Sequence, residues 1–285
     1  MAERLAVGFI GLGNQGAPIA HRILAAGWPL HVWARRPEIL AEFAAKGAVV
    51  AASPGEVAAR SDILGVCVRT DDDVRDVLLR AGDGCFSQAR PGALILLHST
   101  LSPATVAEVG AAAAARGLRV LDAPVSGGPQ GAAAGTMTVL AGGDAEDLAR
   151  ARPVLETFAT DIPLLGPLGA GQMMKLLNNN LCYANVVTSI FALQLAESLG
   201  MDPAVAASVM RVSSGASTGL EIVHAEATLR KITGPTSNLP KDVGHLVNLI
   251  AARGLSDEPL TAISATAWDR VRDYAAHKLG QAPPA

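Results

Sequence analysis

The feature that most constrains this chain is a glycine-rich motif near residue 11. Residues 6–10 form an apolar run typical of a short buried strand, and a helical pattern begins near residue 15. Between them lies Gly11-Leu12-Gly13-Asn14-Gln15-Gly16, which has the G-x-G-x-x-G spacing of a strand-to-helix turn that holds a dinucleotide. We predict that these six residues bind a pyrophosphate at the helix N-terminus, where backbone N–H groups lack partners. A glycine-rich turn without a ligand is the alternative that the motif alone leaves open.

The order of the predicted elements indicates two different architectures along the chain. Runs typical of strands lie at 5–10, 30–34, 48–50, 63–68, 93–97, 119–122 and 137–141, with helical patterns between them, as at 15–26, 37–46 and 103–116. This alternation predicts an α/β protein with a doubly wound parallel sheet of the Rossmann type. From residue 166 onward there is no convincing strand, and a long helical run extends to about residue 199. We therefore predict a dinucleotide-binding Rossmann domain at 1–165, joined by the long helix to an all-helical substrate and oligomerisation domain at 166–285, with residues 281–285 disordered.

Charge and composition argue against several classes of partner. The formal net charge of −3 gives no electrostatic case for nucleic acid. No charged residue lies between Lys175 and Glu197, a length that could span a bilayer, but five amide side chains interrupt this stretch and favour a buried helix. The three cysteines lack metal-ligand spacing, and no segment has the pattern of a secretory signal. We therefore expect no membrane span, no metal site, reduced thiols and a cytoplasmic location.

The end of the second predicted strand gives a prediction about the cofactor. Arg35 and Arg36 follow this strand, in the region where NAD sites usually place an acidic residue on the ribose 2′-hydroxyl. An acid would repel the 2′-phosphate of NADP, whereas an arginine pairs with it. The sequence therefore favours NADP, with NAD as the other possibility. Two solvated arginines on a loop are the alternative.

Polar and glycine-rich segments follow three later strands. Residues 122–128 combine the hydroxyl of Ser126 with flexible glycines, which is typical of a nest for a substrate carboxylate, although a plain turn has the same composition. Residues 98–103 are expected to cap the helix that begins at Pro103, which is compatible with ligand contact. The acidic run Asp71–Asp73 is expected to cap a helix rather than to bind a metal.

Two further segments carry a candidate lysine each. Lys175 and Asn179 lie four residues apart at the start of the charge-free helix and therefore share a face. A lysine buried there beside a ligand could exchange a proton with a reacting oxygen, whereas a lysine that extends to water is the alternative. Lys241, followed by Asp242, is either a solvated helix start or a contact to the cofactor.

Taken in order, these motifs resemble those of the β-hydroxyacid dehydrogenases, the group of 3-hydroxyisobutyrate dehydrogenase and tartronate semialdehyde reductase. The resemblance covers nearly the whole chain and rests on residues 8–16, Ser99-Thr100, residues 122–128, Gly171-x-x-x-Lys175-x-x-x-Asn179 and Lys241-Asp242. It implies a Rossmann domain joined by a long helix to a helical domain, and a homodimer or homotetramer.

The resemblance also implies a role for each matching residue. Lys175 matches the catalytic lysine, Asn179 the amide that helps to orient the substrate, and Ser126, Gly127 and Gly128 the substrate-binding loop. Thr100 matches a residue near the nicotinamide ribose, Lys241 a lysine on the cofactor side, and Arg35 an arginine of NADP-preferring members. The chain departs from the family pattern at Ala34, at His98 and at residues 213–218, where a bulky aromatic is often found; these departures concern the substrate rather than the reaction class.

The sequence thus predicts an oxidoreductase that transfers a hydride between a nicotinamide cofactor and a small β-hydroxy acid or its semialdehyde, with Lys175 as acid and base. An imine reductase of the same architecture is one alternative, but such enzymes usually replace the lysine. A decarboxylating 6-phosphogluconate enzyme is disfavoured because its helical domain is much longer. A non-catalytic NADP-binding module is the remaining alternative, and the presence of Lys175, Asn179 and Ser126 together favours an enzyme.

Overall fold

A computed structural model describes residues 5–255 and 258–280, so the prediction for residues 281–285 lies outside the described residues. The chain divides into two compact units, the first ending at Lys175 and the second beginning at Leu176. The strands are β1 (Val7–Ile10), β2 (Leu30–Trp33), β3 (Val49–Val50), β4 (Ile63–Val66), β5 (Leu94–Leu97), β6 (Arg119–Asp122), β7 (Val125–Ser126), β8 (Met137–Val139) and β9 (Ala159–Asp161). The helices are α1 (Gly16–Ala25), α2 (Pro37–Ala45), α3 (Pro54–Ala59), α4 (Asp71–Leu79), α5 (Cys85–Gln88), α6 (Pro103–Ala114), α7 (Gly128–Ala134), α8 (Ala145–Leu155), α9 (Ala170–Ser198), α10 (Pro203–Arg211), α11 (Thr218–His224), α12 (Glu226–Thr233), α13 (Leu239–Ala252), α14 (Pro259–Ala265) and α15 (Ala267–Leu279).

The first unit is built on a parallel sheet with the strand order β3-β2-β1-β4-β5-β6. This is the order of a doubly wound dinucleotide-binding fold. Successive strand residues face opposite sides, so Phe9 and Ile63 belong to one apolar core while Ile10 and Leu64 belong to the other. The predicted Rossmann architecture is therefore confirmed.

The prediction for residues 137–141 needs a correction. The strand there, β8, does not join the parallel sheet; it pairs antiparallel with β7 and parallel with β9 in a separate three-stranded sheet. The sequence did not indicate β7 or β9, because strands of two or three residues are too short to show an alternating pattern. Pro124 ends the run of β6, since it has no N–H for a sheet ladder, and its carbonyl instead accepts from the Leu140 N–H at 2.9 Å.

The second unit contains only helices in its described residues, as the sequence predicts. Its core includes Val186, Val187 and Ile190 from α9, packed with apolar side chains of the later helices. Leu181, Phe191 and Leu195 of the same helix are exposed. Helix α9 crosses the boundary between the units, since it runs from Ala170 to Ser198. Among the described helices, none is both long and apolar enough for a membrane span.

Candidate active site

The glycine motif forms the turn between β1 and α1, and its three glycines differ in their surroundings. Gly11 has a φ of +97°, and a Cβ at this position would collide with the Cys67 carbonyl. A Cβ at Gly16 would collide with the Gly11 carbonyl, and it would lie 3.1 Å from the Phe9 ring. A Cβ at Gly13 would meet no atom within 4 Å. The turn therefore is tight at Gly11, packs helix on strand at Gly16, and leaves open space over Gly13, as a bound pyrophosphate requires.

The N-terminus of α1 has neither a side-chain cap nor an acidic residue in its first turn. The side chain at the cap position, that of Gln15, instead donates to the Gly128 carbonyl at 3.4 Å and lies 3.6 Å from the Met137 sulfur. The glycine turn and the loop at 126–128 are therefore neighbours within the first unit. Gly127 and Gly128 have φ values of +126° and +66°, which side chains with a Cβ rarely adopt.

Arg35 lies just after β2, and its side chain is 68% exposed. Its Nη1 pairs with Asp73 Oδ1 at 3.0 Å. The other oxygen of Asp73 accepts from the Thr70 N–H at 3.1 Å and from its hydroxyl at 2.9 Å, while Thr70 Oγ1 accepts from the Asp73 N–H. Thr70 and Asp73 thus form the capping box of α4, and the acidic run at 71–73 lies in the first turn of this helix, where the sequence places it. Arg36 is also exposed, at the start of α2.

The loops after β4 and β5 are joined by a serine. Ser99 Oγ accepts from the Val68 N–H at 3.0 Å and donates to the Val68 carbonyl at 2.8 Å. Thr100 follows and is half-buried. Ser102 caps α6 by accepting from the Thr105 N–H at 3.2 Å, which confirms the predicted helix start.

His98, to which the sequence assigns no role, is a core residue. Its ring stacks near Phe9, meets Phe158 edge-on, and its Nδ1 lies 2.8 Å from the Ala123 carbonyl. Burial lowers the pKa of His98 to about 4, despite the hydrogen bond to Ala123. His98 is therefore neutral at physiological pH and fixes the loop after β6.

The start of α9 is held by Asp122, the last residue of β6. This carboxylate is fully buried and accepts from the Gly169 N–H at Oδ1 and from the Gln172 N–H at Oδ2, each at 2.7 Å. Burial raises the pKa of the Asp122 carboxyl, and hydrogen bonds from the backbone N–H groups of Gly169, Gln172 and Gly171 oppose that rise. A buried carboxylate thus satisfies backbone donors that a helix N-terminus leaves without partners.

A second anchor holds the same helical turn from another side. The buried amide of Gln172 donates to the Ser99 carbonyl at 2.8 Å and accepts from the Leu101 N–H at 3.0 Å. Lys175 lies three residues further along α9 and is only 8% exposed. This burial argues against a lysine that extends to water.

In the second unit, Asn179 belongs to a polar cluster around the buried carboxylate of Asp242. Its Nδ2 donates to Asp242 Oδ2 at 2.8 Å, and the Tyr183 hydroxyl donates to the same oxygen at 3.1 Å. Lys241 Nζ lies 3.5 Å from Asp242 Oδ1. Burial, together with the negative charge of Asp242, raises the pKa of Tyr183 well above its usual range. Asp242 is 1% exposed, so the reading of this pair as a solvated helix start is wrong for Asp242.

Three of these residues escaped sequence reasoning as parts of the site: Asp122, Gln172 and Tyr183. Asp122 stands inside the motif at 122–128, and Gln172 lies next to the glycine that opens the α9 pattern. A charged residue directly after the apolar pair Val120-Leu121 is the signal that could have identified Asp122. The described residues contain no group of three or more His, Cys, Asp or Glu side chains suited to a metal ion.

Each half of the chain matches a known family of protein domains. Residues 6–166 match the NAD-binding domain of 6-phosphogluconate dehydrogenase, and residues 169–282 match the NAD-binding domain of NADP-dependent 3-hydroxyisobutyrate dehydrogenase. An NAD-dependent L-serine dehydrogenase of Pseudomonas aeruginosa is 39% identical over 218 residues, which cover 76% of this chain and 73% of that protein. A 3-hydroxyisobutyrate dehydrogenase of the same organism is 38% identical with the same coverage.

Solved structures agree with this assignment. The Mycobacterium tuberculosis 3-hydroxyisobutyrate dehydrogenase with L-serine has a TM-score of 0.77 at 31% identity, covering 99% of this chain and 96% of that one. Psf3 in complex with NADP⁺ and 2-OPP has a TM-score of 0.80 at 28% identity, with 94% of each chain covered. An imine reductase from a Pseudomonas species, at 19% identity and a TM-score of 0.63, shares the fold alone. The chain belongs to the β-hydroxyacid dehydrogenase family and is an NAD(P)-dependent oxidoreductase.

Proposed function

We propose that this protein interconverts a short β-hydroxy acid and its semialdehyde or keto form, with NADP as the favoured cofactor and Lys175 as acid and base. The observation that carries the proposal is the burial of Lys175 on a helix whose first turn is fixed by Asp122 and Gln172. A lysine held in a buried position beside a ligand can exchange a proton with a reacting oxygen.

The nicotinamide cofactor, when bound, supplies the hydride acceptor for oxidation or the hydride donor for reduction. Lys175 Nζ accepts the proton of the substrate hydroxyl during oxidation and returns it to the carbonyl oxygen during reduction. Asn179, one helical turn later, orients the substrate, and the Asp242 carboxylate that accepts from its Nδ2 holds its amide in one orientation. Because an ionised carboxylate only accepts hydrogen bonds, this contact directs the amide nitrogen of Asn179 towards Asp242.

We assign the binding of the cofactor to the residues of the glycine turn and to four further side chains. The six residues Gly11, Leu12, Gly13, Asn14, Gln15 and Gly16 hold the pyrophosphate, which the open space over Gly13 and the uncapped start of α1 support. Thr100 and Lys241 contact the cofactor, as the family resemblance implies. Arg35 and Arg36 bind the 2′-phosphate, which their exposed positions after β2 support.

The substrate carboxylate is assigned to Ser126, Gly127 and Gly128. The contact of Gln15 with the Gly128 carbonyl supports this assignment, because it brings the loop next to the cofactor turn. An acid substrate and its methyl ester test the assignment, since the ester has no negative charge and is larger by only one methyl group. We expect the ester to react at least tenfold more slowly, and Ser126→Ala to reduce this difference. Equal rates for acid and ester would refute the carboxylate assignment.

The second unit exposes apolar side chains, which supports a homo-oligomer, either a dimer or a tetramer. Val205, Val209 and Val212 are exposed and recur at intervals of four and three residues, so they form one stripe along α10 and its end. Leu181 and Leu195 of α9 are also exposed. Covering such surface favours association by about 25 cal/mol per Å², and a two-fold interface is the commonest arrangement. A mass near 29.1 kDa by light scattering would show a monomer and exclude this proposal.

Among the described residues, Cys67, Cys85 and Cys182 form no disulfide bond, which supports a reducing cytoplasmic location. The reaction itself is tested with L-serine, 3-hydroxyisobutyrate, tartronate semialdehyde and related compounds, each with NADP and NAD in the matching redox state. We expect turnover with at least one hydroxy acid or semialdehyde. Binding of NADPH without turnover of any of them would instead support a non-catalytic NADP-binding module.

A further inference from the structure

The carboxylate of Asp122 links the end of a sheet strand to the helix that carries Lys175. Both oxygens are used: Oδ1 accepts from Gly169 and Oδ2 accepts from Gln172, at 2.7 Å each. We propose that Asp122 is a positioning residue for the reaction, which sets the place of Lys175 through the first turn of α9. The inference rests on the proposed role of Lys175 as acid and base.

The space around Asp122 permits little movement. A Cβ at Gly142 would collide with Oδ1, and a Cβ at Gly171 would lie 2.9 Å from Oδ2 and would collide with the Leu140 carbonyl. The carboxylate is fully buried, and the backbone of Asp122 also exchanges hydrogen bonds with Gly142, at 3.1 and 2.8 Å. The helix start is therefore held by a side chain whose own position is fixed by close packing.

Lys175 lies close to the helical turn that Asp122 holds, and the two are joined by the rigid backbone of α9. Gln172 and Lys175 are three residues apart, about 4.5 Å along the helix axis at the usual rise per residue. Long helical side chains point back towards the N-terminus, so the stem of Lys175 runs towards the anchored turn. Gln172 adds its bonds to Ser99 and Leu101, which tie the same turn to the loop after β5. A change at Asp122 would therefore move or loosen the lysine before it affects the remaining helix.

A carboxylate suits this position better than an amide. An asparagine has the same shape, but its Nδ2 cannot accept a hydrogen bond, so either Gly169 or Gln172 would lose its partner. The negative charge also interacts favourably with the N-terminus of α9. Asp122→Asn therefore changes the anchor with almost no change in volume.

The test is a double-mutant cycle with Asp122→Asn, Lys175→Ala and the combined variant, assayed with L-serine and 3-hydroxyisobutyrate and with NADP⁺ and NAD⁺. We expect Asp122→Asn to lower kcat by about ten- to a hundredfold, because a displaced lysine loses part of an acid–base contribution of about 10²–10⁴-fold. The KM for the cofactor is expected to change less than twofold. In the Lys175→Ala background, the same substitution is expected to change kcat by less than twofold, because its effect passes through the lysine.

A purely structural role gives a different result, since general loosening would lower kcat by the same factor in both backgrounds. Asp144→Ala is the matched control: Asp144 also caps a helix of the first unit, through the Glu146 N–H at 2.8 Å, and belongs to no proposed site. This variant is expected to lower the melting temperature and leave kcat unchanged. Hydrogen exchange provides a second readout, with faster exchange at residues 169–175 in Asp122→Asn.

The outcomes separate the inference from the function on which it rests. If Lys175→Ala retains its turnover, the proposed function itself is wrong. Two outcomes in which Lys175→Ala loses turnover would show that only the positioning role of Asp122 is wrong. In the first, Asp122→Asn retains turnover; in the second, Asp122→Asn lowers kcat by the same factor with and without Lys175. Unchanged hydrogen exchange at residues 169–175 would likewise contradict this role. Should Asp122→Asn fail to fold, Gln172→Ala removes the second anchor of the same turn and is expected to show the same dependence on Lys175; equal losses in both backgrounds would overturn the inference.

Discussion

The candidate lysine and the candidate arginines have opposite surroundings within the first unit. Lys175 is 8% exposed and follows a helical turn held by Asp122 and Gln172, whereas the side chain of Arg35 is 68% exposed and pairs with Asp73. Proton transfer depends on atomic position to within a fraction of an ångström, so it requires a buried and fixed group. Recognition of a 2′-phosphate depends mainly on charge, which an exposed side chain can provide. The comparison predicts that substitution of Lys175 lowers turnover strongly, whereas substitution of the exposed arginines changes mainly the cofactor preference.

Removing the buried amine tests the first half of this comparison. Lys175→Ala should lower turnover by about a hundredfold or more, since general acid–base catalysis contributes at least this much. The affinity for NADPH, measured by fluorescence titration, should stay within twofold of the unchanged protein. Lys175→Arg is the control for charge, because an arginine keeps the positive charge but does not release its proton. High turnover in Lys175→Arg would show that charge alone is needed.

The stability of the folded protein should depend on pH through the buried ring of His98. Its pKa in the folded protein is about 4, below the ordinary value of 6.5, so the unfolded chain binds more protons between these two values. The contribution of His98 to stability is therefore complete above pH 6.5 and is lost as the pH falls towards 4. Between pH 7 and pH 5 the loss amounts to about 2 kcal/mol.

Urea unfolding at several pH values measures this effect. His98→Asn removes the titrating group, and its stability should fall less between pH 7 and pH 5 than that of the unchanged chain. The comparison uses the slope with pH, because the variant also loses the ring contacts with Phe9 and Phe158 and is less stable at every pH. Equal slopes would contradict the assignment of a buried neutral histidine.

The same contrast explains which features the sequence could predict. The strands of the parallel sheet and the helix starts at α4 and α6 depend on local patterns, and the structure agrees with them to within two residues. The anchors of α9 could not be predicted, because Asp122 and Gln172 bond to residues 47 and 73 positions away in the chain. The contact between Asn179 and Asp242 spans 63 residues and was missed for the same reason. Local sequence motifs therefore indicate which residues are functional. The residues that hold them in place by hydrogen bonds depend on the tertiary fold.

Removing the arginines tests the second half of the comparison. The double variant Arg35→Ala, Arg36→Ala should raise the KM for NADPH about tenfold, because a charge-assisted hydrogen bond contributes about 1.5 kcal/mol or more. The KM for NADH should stay nearly unchanged, since NADH has no 2′-phosphate. Arg116→Ala, at an exposed arginine after α6, is the control for net charge. An equal increase for both cofactors would show that Arg35 and Arg36 do not recognise the phosphate.

The smallest expected effect concerns the ion pair of Arg35. Asp73 is held in place by Thr70, so its carboxylate cannot move away when a phosphate approaches the guanidinium. A 2′-phosphate would therefore share Arg35 with a fixed negative charge. Asp73→Asn removes that charge and keeps an oxygen that can accept from the Thr70 N–H, so the start of α4 should persist.

Exposed ion pairs contribute about 0.2–1 kcal/mol, so Asp73→Asn should lower the KM for NADPH by about 1.4- to fivefold at low salt. The KM for NADH should not change, and added salt should reduce the effect because it screens exposed charges. In an Arg35→Ala background, Asp73→Asn should leave the KM for NADPH nearly unchanged, since the competition for the guanidinium is absent. A higher KM for NADPH in the single variant would reverse the interpretation: Asp73 would then hold Arg35 in the orientation that binds the phosphate. Either result determines whether the exposed arginine acts as an adjustable charge or, like Lys175, as a positioned group.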